Sequence, residues 1–305
     1  MIKKLTALVK NFIRSIDVIN GLDAELSSIL NYKIRSNLLF NAVLTNDERM
    51  TRTLADGDTE LIVSFTTYSK RIHDVHLVIE SIAQQTVKPH RIILWLDEDE
   101  FTLETIPLIL QRQIDRGLEV RFCLNYRSYK KLIPTLDAFP DANIITIDDD
   151  FLYPHDMIEV LLREHRAFPK CILGHRAHKV MVHNKRISPY IEWENEIQNP
   201  EANDFIFLTT GAGVFLPPHI FDAEVLNANV FLQICPYADD VWLNAMSLLS
   251  GVERKKVNDD RVFRERFLPI PGSKDIALSE YNTEKGGNDK QLKAVFEKYD
   301  LFTYL

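Results

Sequence analysis

Three consecutive carboxylates, Asp148, Asp149 and Asp150, close the run Asn143-Ile144-Ile145-Thr146-Ile147. Like charges this close repel one another unless a cation neutralises them. Hard oxygen donors at this spacing suit Mg²⁺ or Mn²⁺, usually shared with the phosphates of a substrate. On these residues alone, a metal–phosphate site and a solvated acidic turn are equally open. A second pair, Asp239-Asp240, heads a helical pattern much further along the chain, after a loop containing Gly211, Ala212 and Gly213. A carboxylate there is not needed to hold the metal, so its use lies on one or other of the reacting groups. The bland reading is an acidic first turn that complements the helix dipole, behind glycines that serve packing.

The elements that must position these groups can be read from the hydropathy pattern. Residues 143–147 are β-branched and apolar, as in a strand buried on both faces. From Leu61 the chain alternates strand and helix. LIVSFTTY is a strand entering a polar turn, and Ile72, Val75, Val78, Ile79 and Ile82 mark a helix ending near Gln84-Gln85-Thr86. RIILWL is a second strand, stopping at Asp97. A helix follows over 104–116, with Pro107 near its first turn and Gly117 past its end, then a third strand, LEVRFCL. Such alternation implies βαβ units and a mostly parallel sheet. The turn after strand one, Asp97 and Asp148–Asp150 then share one sheet edge, where open α/β sheets bind ligands. The second half is less regular. It shows a helix over 153–168, strands at CILGH and VMVH, a loop-rich stretch with Tyr190 and Trp193, and a strand-like run, FIFLTTGAGVFLPP, broken by its glycines.

Residues 1–58 stand apart as an N-terminal helical extension. Ile2, Leu5, Leu8, Val9, Phe12, Ile13 and Ile16 make an apolar helical face, with Lys3, Lys4, Lys10 and Arg14 elsewhere. Such a helix can lie on an anionic membrane through residues 1–20, or dock on the body of the protein or on a second subunit. A second helical stretch near 24–44 follows, then a polar linker. The N-terminus starts like a signal peptide, but Lys10 and Arg14 interrupt any apolar core and no small-residue cleavage site follows, so secretion is not expected. No run is long and apolar enough for a membrane span. Net charge is −8, against a nucleic-acid binder driven by counterion release. Cys123, Cys171 and Cys235 are too few and too widely spaced for a disulfide framework or zinc knuckle, which fits a reducing, cytoplasmic setting.

The segments LIVSFTTYSKRI, HRIILWLDED, KKLIP, IITIDDDFLYP, TTGAGVFLPP and PYADDVWLNAM, in this order, resemble GT-A fold glycosyltransferases. The likeness is to bacterial family-2-like enzymes of surface polysaccharide synthesis and, more distantly, to exostosin-type transferases. It covers roughly residues 60–300, and no one of its motifs is specific alone. It implies an α/β, Rossmann-like sheet flanked by helices over residues 59–305, with nucleotide bound by the 59–150 half and acceptor by the 151–305 half. It implies transfer of a sugar from a nucleoside-diphosphate sugar, UDP favoured, to a saccharide or glycolipid acceptor with Mn²⁺ or Mg²⁺, at the inner face of the cell membrane and in a chain that could be a homo-oligomer. Asp150 would be the direct metal ligand, and Asp148 would contact ribose or a metal-bound water or serve as a second ligand. Thr66, Thr67, Tyr68, Arg71, Asp149 and Lys131 would frame the nucleotide, Asp97 would receive the base, and Gly211–Gly213 would face the acceptor. Asp240 would be the base, with Asp239 as the other candidate and Glu192, Glu194 and Glu196 behind them. EKGGNDKQL would be a lid. Relatives often supply a metal-binding histidine near this point, but no histidine follows His219 here. Rival readings are a sugar-phosphate nucleotidyltransferase, which usually has a glycine-rich loop after strand one where SFTTYSKRI has none, an aspartyl phosphatase, and a non-catalytic carbohydrate-binding protein.

Overall fold

The computed structural model describes residues 26–183, 186–198, 203, 205–271 and 280–304. The amphipathic stretch expected over residues 1–20 lies outside them. A helix, α1, covers 26–45. The first half then alternates β1 (Leu61–Thr66), α2 (Val75–Ala83), β2 (Arg91–Asp97), α3 (Leu108–Asp115), β3 (Leu118–Cys123), α4 (Ile133–Ala138) and β4 (Asn143–Thr146). The rest contains β5 (Phe151–Leu152), α5 (Met157–Ala167), β6 (Ile172–Gly174), β7 (Ala177–Lys179), β8 (Val182–His183), β9 (Arg186–Ile187), β10 (Ile206–Leu208) and β11 (Val214–Leu216). It closes with α6 (Ala228–Ile234), α7 (Asp239–Leu249), β12 (Arg254–Lys256), α8 (Phe263–Arg266), β13 (Leu268–Pro269) and α9 (Gly287–Tyr299).

Seven strands form the central sheet in the order β12-β6-β11-β4-β1-β2-β3. β1 pairs parallel with β2 and β4, β2 with β3, and β6 with β12. Only β11 runs antiparallel, between β4 and β6. The architecture is α/β and Rossmann-like, as the strand–helix alternation implied, and both halves of the chain contribute strands to the one sheet.

The continuous apolar runs are explained by cores on both sheet faces. Leu61, Val63, Phe65, Ile92, Leu94, Ile145 and Phe215 point to one, against α1, α2, α3 and α5. Ile62, Ile93, Trp95, Ile144 and Leu216 point to the other, against α4, α6, α7 and α9. The extension is docked on the body: Tyr32, Leu39 and Met50 join the first core, and Arg35 Nη2 donates to the Tyr153 carbonyl at 2.9 Å.

Three boundaries differ from the sequence expectation. The helix over 104–116 is shorter, because Pro107 is extended (ψ 137°) and caps a helix starting at Leu108. The helix expected from Tyr153 starts at Met157, since β5 pairs with β13 and a turn intervenes. The FIFLTTGAGVFL run divides into β10, paired with β7, and β11 in the main sheet, joined by a 3₁₀ turn over Thr210–Ala212.

Candidate active site

β2 and β4 flank β1 on opposite sides, so the winding reverses at β1, and the carboxyl ends of β1 and β4 are where sheets of this kind bind ligands. The turn after β1 and the three aspartates after β4 meet there. Thr67 Oγ1 donates to Asp149 Oδ2 at 2.5 Å, and Arg71 Nη1 donates to Asp149 Oδ1 at 2.6 Å. Asp149, buried, is thus the clasp between the two strand ends. Arg71 also reaches Asp150, with Nη2 3.4 Å from Oδ2, and lies over the Tyr68 ring at 5.4 Å. Asp150 Oδ1 is shielded from solvent and has no hydrogen-bond partner among the described residues. Burial, then the Asp148 and Asp149 charges, push the Asp150 carboxyl up to about 7.

Lys131 joins this cluster to the second one. Its Nζ lies 2.5 Å from Asp148 Oδ1 and 2.9 Å from Asp239 Oδ2, and the side chain is 3% exposed. Burial alone would lower the lysine, but Asp148, Asp239 and Asp240 outweigh it and hold the ammonium charged. The 3₁₀ turn carrying it, Arg127–Lys131, and α4 behind it are pinned at three points. Ser64 Oγ donates to the Lys131 carbonyl at 2.7 Å. Trp95 Nε1 donates to Thr135 Oγ1 at 2.7 Å. Tyr129, stacked on Phe231 at 4.2 Å, donates its hydroxyl to the Cys235 carbonyl, just before α7.

Asp239 and Asp240 open α7 and converge on Thr210. The Thr210 N–H donates to Asp240 Oδ1 at 2.8 Å, and its hydroxyl lies between Asp239 Oδ2 (2.9 Å) and Asp240 Oδ1. The two acids differ. Burial raises Asp239, but Lys131 and Thr210 more than reverse this and hold it low. Asp240, partly exposed, is pushed up to about 6 by desolvation and then by Asp239. Neighbouring carboxylates whose environments separate their affinities for protons can take different roles.

Gly211 lies where any side chain would collide: an added Cβ would be 2.0 Å from Asp148 Oδ2. Tyr153 ties the same place, its hydroxyl contacting the Gly211 carbonyl and the Asp148 backbone. Gly213, at φ 91°, turns the chain into β11 against Met157 and His175. Gly211, Ala212 and Gly213 are all buried.

Thr67, Arg71, Lys131, Asp148, Asp149, Asp150, Gly211, Asp239 and Asp240 therefore come together as one constellation. Thr66 turns along the sheet, donating to the Trp95 carbonyl at 2.8 Å. Asp97 is buried at the end of β2. Its Oδ1 accepts the Asp99 N–H and its Oδ2 faces Lys130 Nζ at 3.6 Å. Glu196 is engaged by Arg176 and Arg264, while Glu192 and Glu194 are exposed. The Gly286-Gly287 segment starts α9, and Asp289 accepts the Tyr190 N–H at 2.7 Å. Among the described residues, no three His, Cys, Asp or Glu side chains converge as a ready-made metal cage. Thr210 was missed by sequence reading. Its only signal there was a hydroxyl residue just before the glycine loop.

No family model and no curated protein matches the sequence. Among solved structures, the chain is similar to CMP:2-keto-3-deoxy-manno-octonic acid synthetase complexed with CTP, at 12% identity and a TM-score of 0.39, over 66% of this chain and 89% of that one. Among the described residues, no helix is long and apolar enough to cross a membrane.

Proposed function

We propose that this protein is a divalent-metal-dependent glycosyltransferase that moves a sugar from a nucleoside-diphosphate sugar to a hydroxyl of a saccharide or glycolipid acceptor. One observation carries the reading: a buried lysine contacts two separate carboxylate clusters, one suited to a metal–diphosphate and one suited to proton removal. The donor set fits a cation. Asp150 Oδ1 has no hydrogen-bond partner among the described residues, and burial beside the Asp148 and Asp149 charges makes its carboxyl bind a proton more readily than usual. Asp148 engages Lys131 through Oδ1 only. Two carboxylates suffice for Mg²⁺ or Mn²⁺ when diphosphate oxygens and water complete the shell. Bound there, the cation would act as Lewis acid toward the leaving diphosphate.

The chain's own groups supply the rest. Asp149, clamped by Thr67 and Arg71, fixes the aspartate turn. Lys131 adds fixed positive charge between nucleotide and acceptor sides, where negative charge develops as the sugar–phosphate bond breaks. Asp240, held by Thr210 and partly exposed, accepts the acceptor proton. A base whose affinity for protons is raised toward the working pH is better matched to that task.

The nucleotide half is tested by calorimetric titration of UDP and GDP. Affinity is expected to depend on Mn²⁺ and to be lost in EDTA or in Asp150→Ala. Equal affinity with and without metal would refute the metal role. The base is tested by pH. Turnover should fall as pH drops through about 6, where Asp240 protonates. Thr210→Val removes a hydrogen bond to the charged form and should move that limb up by about one unit. Thr210→Ser should restore it, and a limb unmoved in both variants would remove Asp240 from the chemistry.

A second reading is nucleotidyl transfer to a sugar phosphate, which the same aspartate edge could serve through a metal-bound triphosphate. Product analysis separates the two. Glycosyl transfer releases a nucleoside diphosphate from a nucleotide sugar, whereas nucleotidyl transfer releases pyrophosphate from a nucleoside triphosphate.

A further inference from the structure

α1 is apolar on two opposite faces. Tyr32, Leu39 and Val43 are buried against the body. On the outer side Leu26, Leu30, Ile34 and Leu38 follow one another at four-residue steps and are 65%, 60%, 53% and 64% exposed, with Ile29 and Leu44 beside them. A helix apolar all round belongs in an interior, and a contiguous apolar stripe on a surface marks a place where something binds. Residues 26–45 hold Lys33 and Arg35 and no carboxylate, in a chain whose net charge is −8.

We propose that the outer face of α1 is a membrane-docking surface that seats the protein on an anionic lipid bilayer. The charge pattern selects this occupant. Lys33 is exposed and borders the stripe, its ammonium 5.9 Å from the centre of the Tyr32 ring. On a bilayer, its aliphatic stem lies along the acyl boundary while its ammonium reaches lipid phosphates. Pairing α1 with a second α1 would instead set the Lys33 at the edge of the seam against a helix that offers no carboxylate to meet it. The surface is rigidly tied to the body. Arg35 bonds the Tyr153 carbonyl, and the Tyr153 hydroxyl contacts Gly211 and Asp148, so a chain seated through α1 holds the aspartate edge at a fixed orientation to the lipid. This inference concerns residues 26–45 and stands independently of the reaction proposed above.

The test is flotation of the full chain with vesicles of phosphatidylcholine alone or mixed with phosphatidylglycerol. Binding is expected with the anionic mixture, weakening as salt rises. The Leu30→Ser/Ile34→Ser/Leu38→Ser variant removes only exposed side chains, so its thermal unfolding should match the parent's while its partitioning falls at least about tenfold. Lys33→Glu should weaken binding to the anionic vesicles only. Equal binding by parent and triple variant would place the lipid contact elsewhere and overturn the proposal. So would absence of binding, whether the parent elutes as a dimer that the triple variant dissolves, which makes a second copy the occupant, or as a monomer, which leaves residues 1–25 to cover the face.

Discussion

Asp240→Asn is expected to lower turnover by about 10²–10⁴-fold, the usual contribution of a general base, while nucleotide and metal still bind. The substitution keeps the shape, and an amide oxygen can still accept the Thr210 N–H that Asp240 Oδ1 accepts at 2.8 Å. What it removes is the capacity to take a proton. Steady-state rates beside nucleotide titrations decide the matter. Turnover close to that of the parent would exclude Asp240 as the base. Asp239→Asn makes a poor mimic of this loss, because Asp239 is a buried partner of Lys131 at 2.9 Å and its replacement also disturbs the link between the two clusters.

Lys131→Met should have the largest effect on stability. It leaves Asp148 and Asp239 facing each other without the cation between them, and breaking one side of a buried ion pair costs roughly 3–5 kcal/mol. The midpoint of urea unfolding should fall accordingly, with the slope unchanged. Adding Asp239→Asn should recover part of the loss, since one uncompensated charge is then gone. A loss below about 1 kcal/mol, the range of exposed pairs, would mean that solvent reaches the cluster and that Lys131 is no structural link.

The sheet was legible in the sequence because its strands are buried on both faces. LIVSFT, RIILWL and NIIT each appear as short runs dominated by apolar and β-branched residues, with no polar alternation, and β1, β2 and β4 fall on them. The aspartate turn followed from strand polarity. Residues at the carboxyl ends of parallel strands meet at one edge, whatever lies between them in the chain. The link between the clusters was not legible. Lys130 and Lys131 look alike in KKLIP, and the 3₁₀ turn sends one to Asp97 and the other to Asp148 and Asp239. Thr67 and Arg71, read as framing a nucleotide, hold Asp149. Such contacts span large sequence separations, and no local pattern encodes which of several equivalent groups arrives. The outer face of α1 was hidden for another reason: hydropathy reports that a residue is apolar, not which of two apolar faces the body leaves uncovered.

The reversed direction of β11 bears on the order in which the molecule can assemble. β1, β2 and β3 are joined by short crossovers, so their pairing closes small loops and can begin early. The pairings of Leu61 with Asn143 and of Val214 with Thr146 each wait on a longer stretch of intervening chain, and because β11 runs antiparallel it is the start of the strand, not its end, that arrives beside the aspartates. Thr210 and Gly211 are delivered to Asp240 and Asp148 by the second of these closures. A chain trapped before β11 inserts would hold the turn after β1 beside the aspartates and have no second carboxylate cluster next to them. Under the function proposed above, the capacity to hold a nucleotide would in such a chain precede the capacity to use it.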